Sequence, residues 1–323
     1  MKTALITGIC GQDGVYLADL LVEQNYRLIG AVRDPASAEK ELPCALLDKV
    51  ELVDWDMRSQ ATMIGALTKH SPDEIYNFAA FTSGEGMFED APAIGDINGV
   101  AISRMLDAIR KVDPAIRFCQ ASSSEMFGEA TESPQHEETP FKPRSPYGAA
   151  KLYAHNMVSI YRRNYNLFAC SAILFNHESK RRGLGFVTRK ITHEVAKIKL
   201  GLASELSLGN LEARRDWGFA GDYVLAMWKA LQQPQADDYV ISTGTTHSVR
   251  ELCEIAFTHV GLNYENHVKE DANAFRPGER FELVGDSSKA RSILDWAPSR
   301  GFRELITDMV DADIEALTST VKK

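Results

Sequence analysis

A chain of 323 residues, 44% hydrophobic and 25% charged, can bury a large core in one or two domains without a metal or disulfide to hold it. Its formal charge of −9 and pI of about 5.5 speak for solubility and against a nucleic-acid binder, which carries a basic face. Cys10, Cys44, Cys119, Cys170 and Cys253 are odd in number and form no CxxC, so no zinc site or disulfide framework follows and a reducing compartment fits.

The opening run MKTALITG is too short for a signal-peptide core. No stretch approaches the ~18 apolar residues of a membrane span, so a cytoplasmic protein without membrane contact is expected. Residues 4–7 predict a strand. Residues 15–24 predict a helix, with Leu17, Leu20 and Leu21 at helical spacing. Strands follow over 28–32, 50–53 and 75–80. Residues 99–112 predict a helix with Val100, Leu106 and Ile109 on one face, and 116–121 a fifth strand. Pro146 suits a helix start, where its missing N–H costs nothing. Residues 168–174 predict a sixth strand. The polar, basic stretch 176–185 predicts a loop. Residues 220–231 and 239–242 predict a helix and a strand returned to the first sheet, and Pro277-Gly278 marks a late turn.

Strand and helix in alternation imply an α/β fold, a doubly wound parallel (Rossmann) sheet covered on both faces. The expected division is a dinucleotide-binding domain over 1–174, to which 216–243 returns. A smaller C-terminal α/β substrate domain then comprises 175–215 and 244–323. Ligands in such sheets sit at the carboxyl ends of the strands, so residues there are the functional candidates.

Directly after the first strand the chain reads Gly8-Ile9-Cys10-Gly11-Gln12-Asp13-Gly14. Glycines at this GxxGxxG spacing allow a tight turn and bring backbone N–H groups to a pyrophosphate, beside the positive end of the next helix. A nicotinamide dinucleotide is the expected ligand. The second strand ends in Val32, Arg33 and Asp34. Val32 occupies the place of an NAD-type aspartate, and Arg33 can pair with the 2′-phosphate of NADP. NADP is favoured over NAD, although Asp34 could neutralise Arg33. Asp56, after the third strand, suits the adenine edge or a helix cap before Met57.

Tyr147-Gly148-Ala149-Ala150-Lys151 is YxxxK, which puts both side chains on one helix face. The lysine charge is expected to lower the tyrosine pKa from about 10 toward neutrality and make a usable acid or base. The run Ala121-Ser122-Ser123-Ser124-Glu125 ends the fifth strand. Ser123 can hydrogen-bond a reacting hydroxyl. Glu125 is more than a plain dehydrogenase needs: a carboxylate there can remove a proton next to a new carbonyl and drive elimination. Its bland alternative is a cap or an ion pair.

These residues, in this order, resemble the extended short-chain dehydrogenase/reductase family, and within it the GDP-sugar 4,6-dehydratases. TGICGQDG, ASSSEMFG and PRSPYGAAKLYAH carry the resemblance through the first half. FNHES, RRG, FVTRK, LGNL, RRDWG, RPGE and GDSSKA carry it through the second. The resemblance implies that GDP-mannose is oxidised at C4 and loses water across C5 and C6, giving GDP-4-keto-6-deoxymannose. Tyr147, assisted by Ser123, would act on the C4 hydroxyl. Lys151 would hold the nicotinamide ribose, and Glu125 would take the C5 proton. Asn176, Lys190, Arg215 and Arg276 would hold the nucleotide diphosphate and sugar. It further implies a homodimer or homotetramer. A related GDP-hexose or heptose reductase, oxidase or epimerase is the neighbouring reading. A non-catalytic dinucleotide-binding regulator is a reading of another class, against which the intact Ser123, Glu125, Tyr147 and Lys151 argue. Three positions depart from the family. Residues 79–88 read AAFTSGEGMF where relatives read AAQSHVxVSF, Ser123 stands for a common threonine, and Asp34 stands among usually basic residues.

Overall fold

Successive side chains of a strand point to opposite faces, and along Thr3–Thr7 (β1) both faces are apolar and buried. A strand of that kind needs a helical layer on each side. The computed structural model describes residues 1–81, 88, 90–271 and 282–321. Residues 82–87, most of the altered segment, and Arg276 with the Pro277-Gly278 turn lie outside the described residues.

After β1 the strands are Arg27–Val32 (β2), Val50–Asp54 (β3), Glu74–Asn77 (β4), Arg117–Ser123 (β5), Ala169–Leu174 (β6), Asn176–Glu178 (β7), Leu206–Leu208 (β8), Arg214–Phe219 (β9), Asp238–Ile241 (β10), Thr246–Ser248 (β11) and Val268–Glu270 (β12). The helices are Gln12–Glu23 (α1), Pro35–Glu41 (α2), Cys44–Leu47 (α3), Gln60–His70 (α4), Ala91–Gly95 (α5), Ala101–Val112 (α6), Pro146–Tyr165 (α7), Val187–Lys199 (α8), Ala220–Gln232 (α9), Val249–His259 (α10), Ser288–Leu294 (α11) and Phe302–Val321 (α12).

Seven strands form one sheet in the order β10-β6-β5-β4-β1-β2-β3, with every neighbouring pair parallel. Ala4 and Ile6 pack on one face with Leu17 and Leu21 of α1 and Tyr223 and Met227 of α9. Leu5 packs on the other with Met63 and Leu67 of α4, Met105 and Ile109 of α6, and Ala154 and Val158 of α7. The chain reverses direction across the sheet between β1 and β4, the place where such folds bind ligands. A separate cluster joins Ile191 and Val195 of α8, Leu252 and Phe257 of α10, and Ile306 and Met309 of α12. Beside it lie the three-stranded sheet β11-β9-β7 and the pair β12-β8. Among the described residues, no helix is long and apolar enough to cross a membrane.

Three expected elements differ. The fourth strand ends at Asn77 and not at residue 80, because the Thr7 hydroxyl accepts from the Phe78 and Ala79 N–H groups (3.1 and 3.0 Å) and draws the chain off the sheet. The helix expected from residue 99 opens on a π turn over Asp96–Val100, and α6 follows it. The loop expected from 176 begins as β7, paired with β9 from Asn176↔Trp217 to Glu178↔Phe219. That pairing is a contact between distant segments and leaves no local pattern to read.

Candidate active site

The carboxyl ends of β1, β4, β5 and β6 open into a cleft of about 760 Å³. Its floor is the glycine loop. The Gly11 N–H donates to the Gly8 carbonyl (3.0 Å), closing the turn, and α1 starts with no side-chain cap. First-turn N–H groups are therefore left facing the cleft. A Cβ on Gly14 would strike the Gly8 carbonyl oxygen and the Ile9 backbone, so only glycine lets α1 begin this close to the loop.

α7 supplies the tyrosine and lysine. Its start is set by Ser145, whose hydroxyl accepts from the Gly148 N–H (3.0 Å), and by Pro146 in the first turn. Gly8, Gly11, Gln12, Asp13 and Gly14 share the cleft wall with Ser123, Glu125, Tyr147 and Lys151. Asn176, Lys190 and Arg215 line its far side. Lys190 Nζ donates to the Ser207 carbonyl (2.9 Å), and Arg215 Nη1 to the Arg214 carbonyl (2.7 Å).

Arg33 and Asp56 are not among the residues lining the cleft. Arg33 is exposed at the end of β2. Asp34 caps α2, accepting from the Ala36 and Ser37 N–H groups (3.1 and 3.3 Å) and from the Ser37 hydroxyl (2.6 Å). Its carboxylate is thus engaged away from Arg33. Asp56 accepts from the Arg58 N–H (2.9 Å), and α4 is capped by Ser59, so the alternative of Asp56 as a helix cap is not what the structure shows.

The expected lowering of the Tyr147 pKa by Lys151 is not found. Burial pushes the Tyr147 hydroxyl up to about 12, the Glu125 and Asp13 charges add to this, and a hydrogen bond with Ser123 and the charge of Arg182 offset it only partly. Burial pushes Lys151 down to about 8, opposed by Asp13. The reason is geometric. Lys151 Nζ lies 5.7 Å from the Tyr147 ring centre and donates instead to the Ala121 carbonyl (2.8 Å). Desolvation outweighs a charge held at that distance.

Sequence reasoning gave no role to His177, although it lines the cleft on β7. Its Nδ1 faces the Phe175 carbonyl (2.8 Å) and its Nε2 faces Asp13 Oδ2 (3.0 Å). A carbonyl and an ionised carboxylate only accept, so this geometry suits a charged ring that donates from both nitrogens. Burial works against that charge, but the Asp13 charge and hydrogen bond outweigh it and hold the imidazole above its ordinary range. Burial likewise opposes the Asp13 charge, and His177, Arg182 and Gln12 outweigh it and hold the carboxylate below its ordinary range. Gln12 joins the same latch, donating to the His177 carbonyl (3.1 Å) and accepting from the Ser179 hydroxyl (2.8 Å). The partners lie far apart in sequence, so no spacing signals the pair.

The family model described as GDP-mannose 4,6 dehydratase matches residues 5–309. The chain is 45% identical to GDP-mannose 4,6 dehydratase 1 of Arabidopsis thaliana, covering 97% of this chain and 90% of the relative. It is 44% identical to the Homo sapiens GDP-mannose 4,6 dehydratase, covering 98% and 92%. Among solved structures, UDP-glucose 4-epimerase of Thermotoga maritima superposes with a TM-score of 0.86 at 22% identity, over 98% of this chain and 99% of that one. The dTDP-glucose 4,6-dehydratase of Bacillus anthracis, solved in complex with NAD, gives 0.82 at 20% identity, over 97% and 96%. These two show that the fold is shared. With a model match over most of its length and relatives at this identity, the chain belongs to the GDP-mannose 4,6-dehydratase family.

Proposed function

We propose that this chain is an NADP-dependent lyase converting GDP-mannose into GDP-4-keto-6-deoxymannose. The observation that carries the proposal is the placement of Glu125 beside the Ser123–Tyr147 hydrogen bond, in one cleft with Lys151 and an uncapped glycine-loop helix. Oxidation alone has no use for the carboxylate. The residues fit a dinucleotide. The α1 N-terminus suits a pyrophosphate, and the buried Lys151 ammonium has one described acceptor, leaving N–H groups for ribose hydroxyls. Arg33, with Asp34 turned to its own helix, suits the 2′-phosphate of NADP.

NADP held by the glycine loop, Lys151 and Arg33 would supply the hydride acceptor and donor for the sugar and, when oxidised, a positive charge that would offset the burial penalty on Tyr147. Tyr147 receives the proton of the C4 hydroxyl while Ser123 holds that oxygen. Lys151 orients the ribose with the N–H groups it does not give to the Ala121 carbonyl. Glu125 takes the C5 proton, acidified by the C4 carbonyl, while water leaves C6. Asn176, Lys190, Arg215 and Arg276 hold the nucleotide diphosphate and sugar. Positive groups gathered in the cleft of an otherwise acidic chain suit a diphosphate.

Purified protein incubated with GDP-mannose and no added cofactor should yield a product lighter by one water, with no net change in reduced dinucleotide. Glu125→Gln should keep the dinucleotide and lose the elimination. Unchanged GDP-mannose in the presence of either oxidised cofactor would overturn both substrate and reaction, and a Glu125→Gln enzyme at normal rate would overturn the role of Glu125.

A further inference from the structure

Gln120 sits in β5, in the middle of the large sheet, with no exposed surface. A buried amide is costly there unless every group is partnered. Its Nε2 donates to the carbonyl of Ala121 (2.8 Å), the same oxygen that accepts from Lys151 Nζ (2.8 Å). Its Oε1 accepts from Asn77 Nδ2 (2.8 Å), and Asn77 Oδ1 accepts from the Thr7 hydroxyl (2.6 Å). The Thr7 oxygen in turn accepts from the Phe78 and Ala79 N–H groups. Both ends of this chain are backbone: a carbonyl that can only accept and N–H groups that can only donate. Neither amide can be flipped, so the direction of every bond is fixed. The last register pair of β4 with β5 is Asn77↔Gln120, so Ala121 lies one residue past the end of β4, where side chains reach its carbonyl.

We propose that Gln120 is a positioning residue: its amide locks the Ala121 carbonyl as the seat of the Lys151 ammonium, and the Asn77–Thr7 chain ties that seat to the glycine loop. The hydrogen-bonded chain crosses the ends of β1, β4 and β5. The other charged or titratable groups acting at this place are Asp13 from α1 and Tyr147 on the lysine's own helix. Glu125, after β5, and Arg182, after β7, act on Tyr147. Without Gln120 the Ala121 backbone stays in the β5–β6 ladder but its carbonyl loses the side-chain bond that sets its tilt, the hydrogen bond to the charged amine weakens, and the amine gives up its proton more easily.

The inference rests on the proposed function only for the use made of Lys151; the lysine itself is what the test reads. NMR titration of the Lys151 Cε in lysine-labelled full chain, assigned by its loss in Lys151→Arg, gives the wild-type midpoint. Gln120→Leu is expected to lower that midpoint by about one unit. Gln120→Glu is expected to leave it in place or raise it. A protonated carboxyl rebuilds the chain, and an ionised one favours the ammonium. Thr7→Val, at the far end, serves if Gln120→Leu does not fold, and lowers the midpoint by a smaller amount. A midpoint that none of the three moves, or one that Gln120→Leu and Gln120→Glu lower equally, overturns the proposal; equal lowering would mean that disturbed packing is the cause. Wild-type enzyme that fails to convert GDP-mannose would overturn the functional reading and leave the titration result standing.

Discussion

Gly148→Ala is expected to disable the enzyme without unfolding it. Gly148 lies in the first turn of α7, and a Cβ built there falls 2.5 Å from the Glu125 carbonyl oxygen and 3.2 Å from its carbon. Ordinary contact begins at 3.4 Å, so the two backbones must part by nearly an ångström. α7 is held by Ala154 and Val158 in the core, so the yielding partner is the short turn that carries Glu125. Overpacking of this kind costs about 1–3 kcal/mol, and alanine returns about 1 kcal/mol through its better helix propensity. The net loss is a drop of a few degrees in Tm. Displacing a catalytic group by about 1 Å costs on the order of 100-fold in rate. The assay is kcat for dehydration alongside a thermal melt, with the exposed neighbour changed in Ala149→Ser as a control expected to match wild type. A Gly148→Ala enzyme that keeps a kcat within about twofold of wild type would refute the claim that Glu125 is held in place by this contact.

Three further outcomes concern the charges of Lys151, His177 and Arg33. Lys151 is charged below about 8 and loses its proton as the pH rises through that value, so kcat should fall along an alkaline limb centred there, as a pH–rate profile would show. His177→Asn should cost roughly 2 kcal/mol near neutrality by leaving Asp13 without its ion-pair partner, less than for a fully buried pair because the two side chains are 12% and 20% exposed and Arg182 still acts on Asp13. In denaturant melts, that difference should shrink as the pH rises above 6.5 through the raised His177 pKa, and again as it falls below 3.8 through the lowered Asp13 pKa. Arg33→Ala should weaken NADP about tenfold and leave NAD unchanged by calorimetric titration.

The parallel sheet and its first six strands were legible because each strand is a short apolar run between glycines or polar turns, and strand and helix alternate. Ends were harder to read. Nothing local shows that the Thr7 hydroxyl would draw residues 78–80 off the sheet. The cleft was legible where motifs are contiguous, as in the glycine loop, the Ser123–Glu125 turn and the Tyr147–Lys151 helix. It was not legible where groups meet only in three dimensions. His177 reaches Asp13, and Gln120 and Lys151 share one carbonyl, through contacts that no spacing encodes. The Tyr147 hydroxyl departs from expectation for a related reason. Helical spacing puts Lys151 on its face but does not reveal that burial would outweigh the lysine's charge.

The central claim is that one hydride leaves C4 and returns to C6 of the same sugar while Glu125 removes the C5 proton. GDP-mannose carrying deuterium at C4, converted by the purified enzyme and followed by NMR of the product, tests this most directly. The account predicts that the label is recovered at C6 and that Glu125→Gln forms no such product. Label released to solvent, or retained in free reduced dinucleotide, would contradict it.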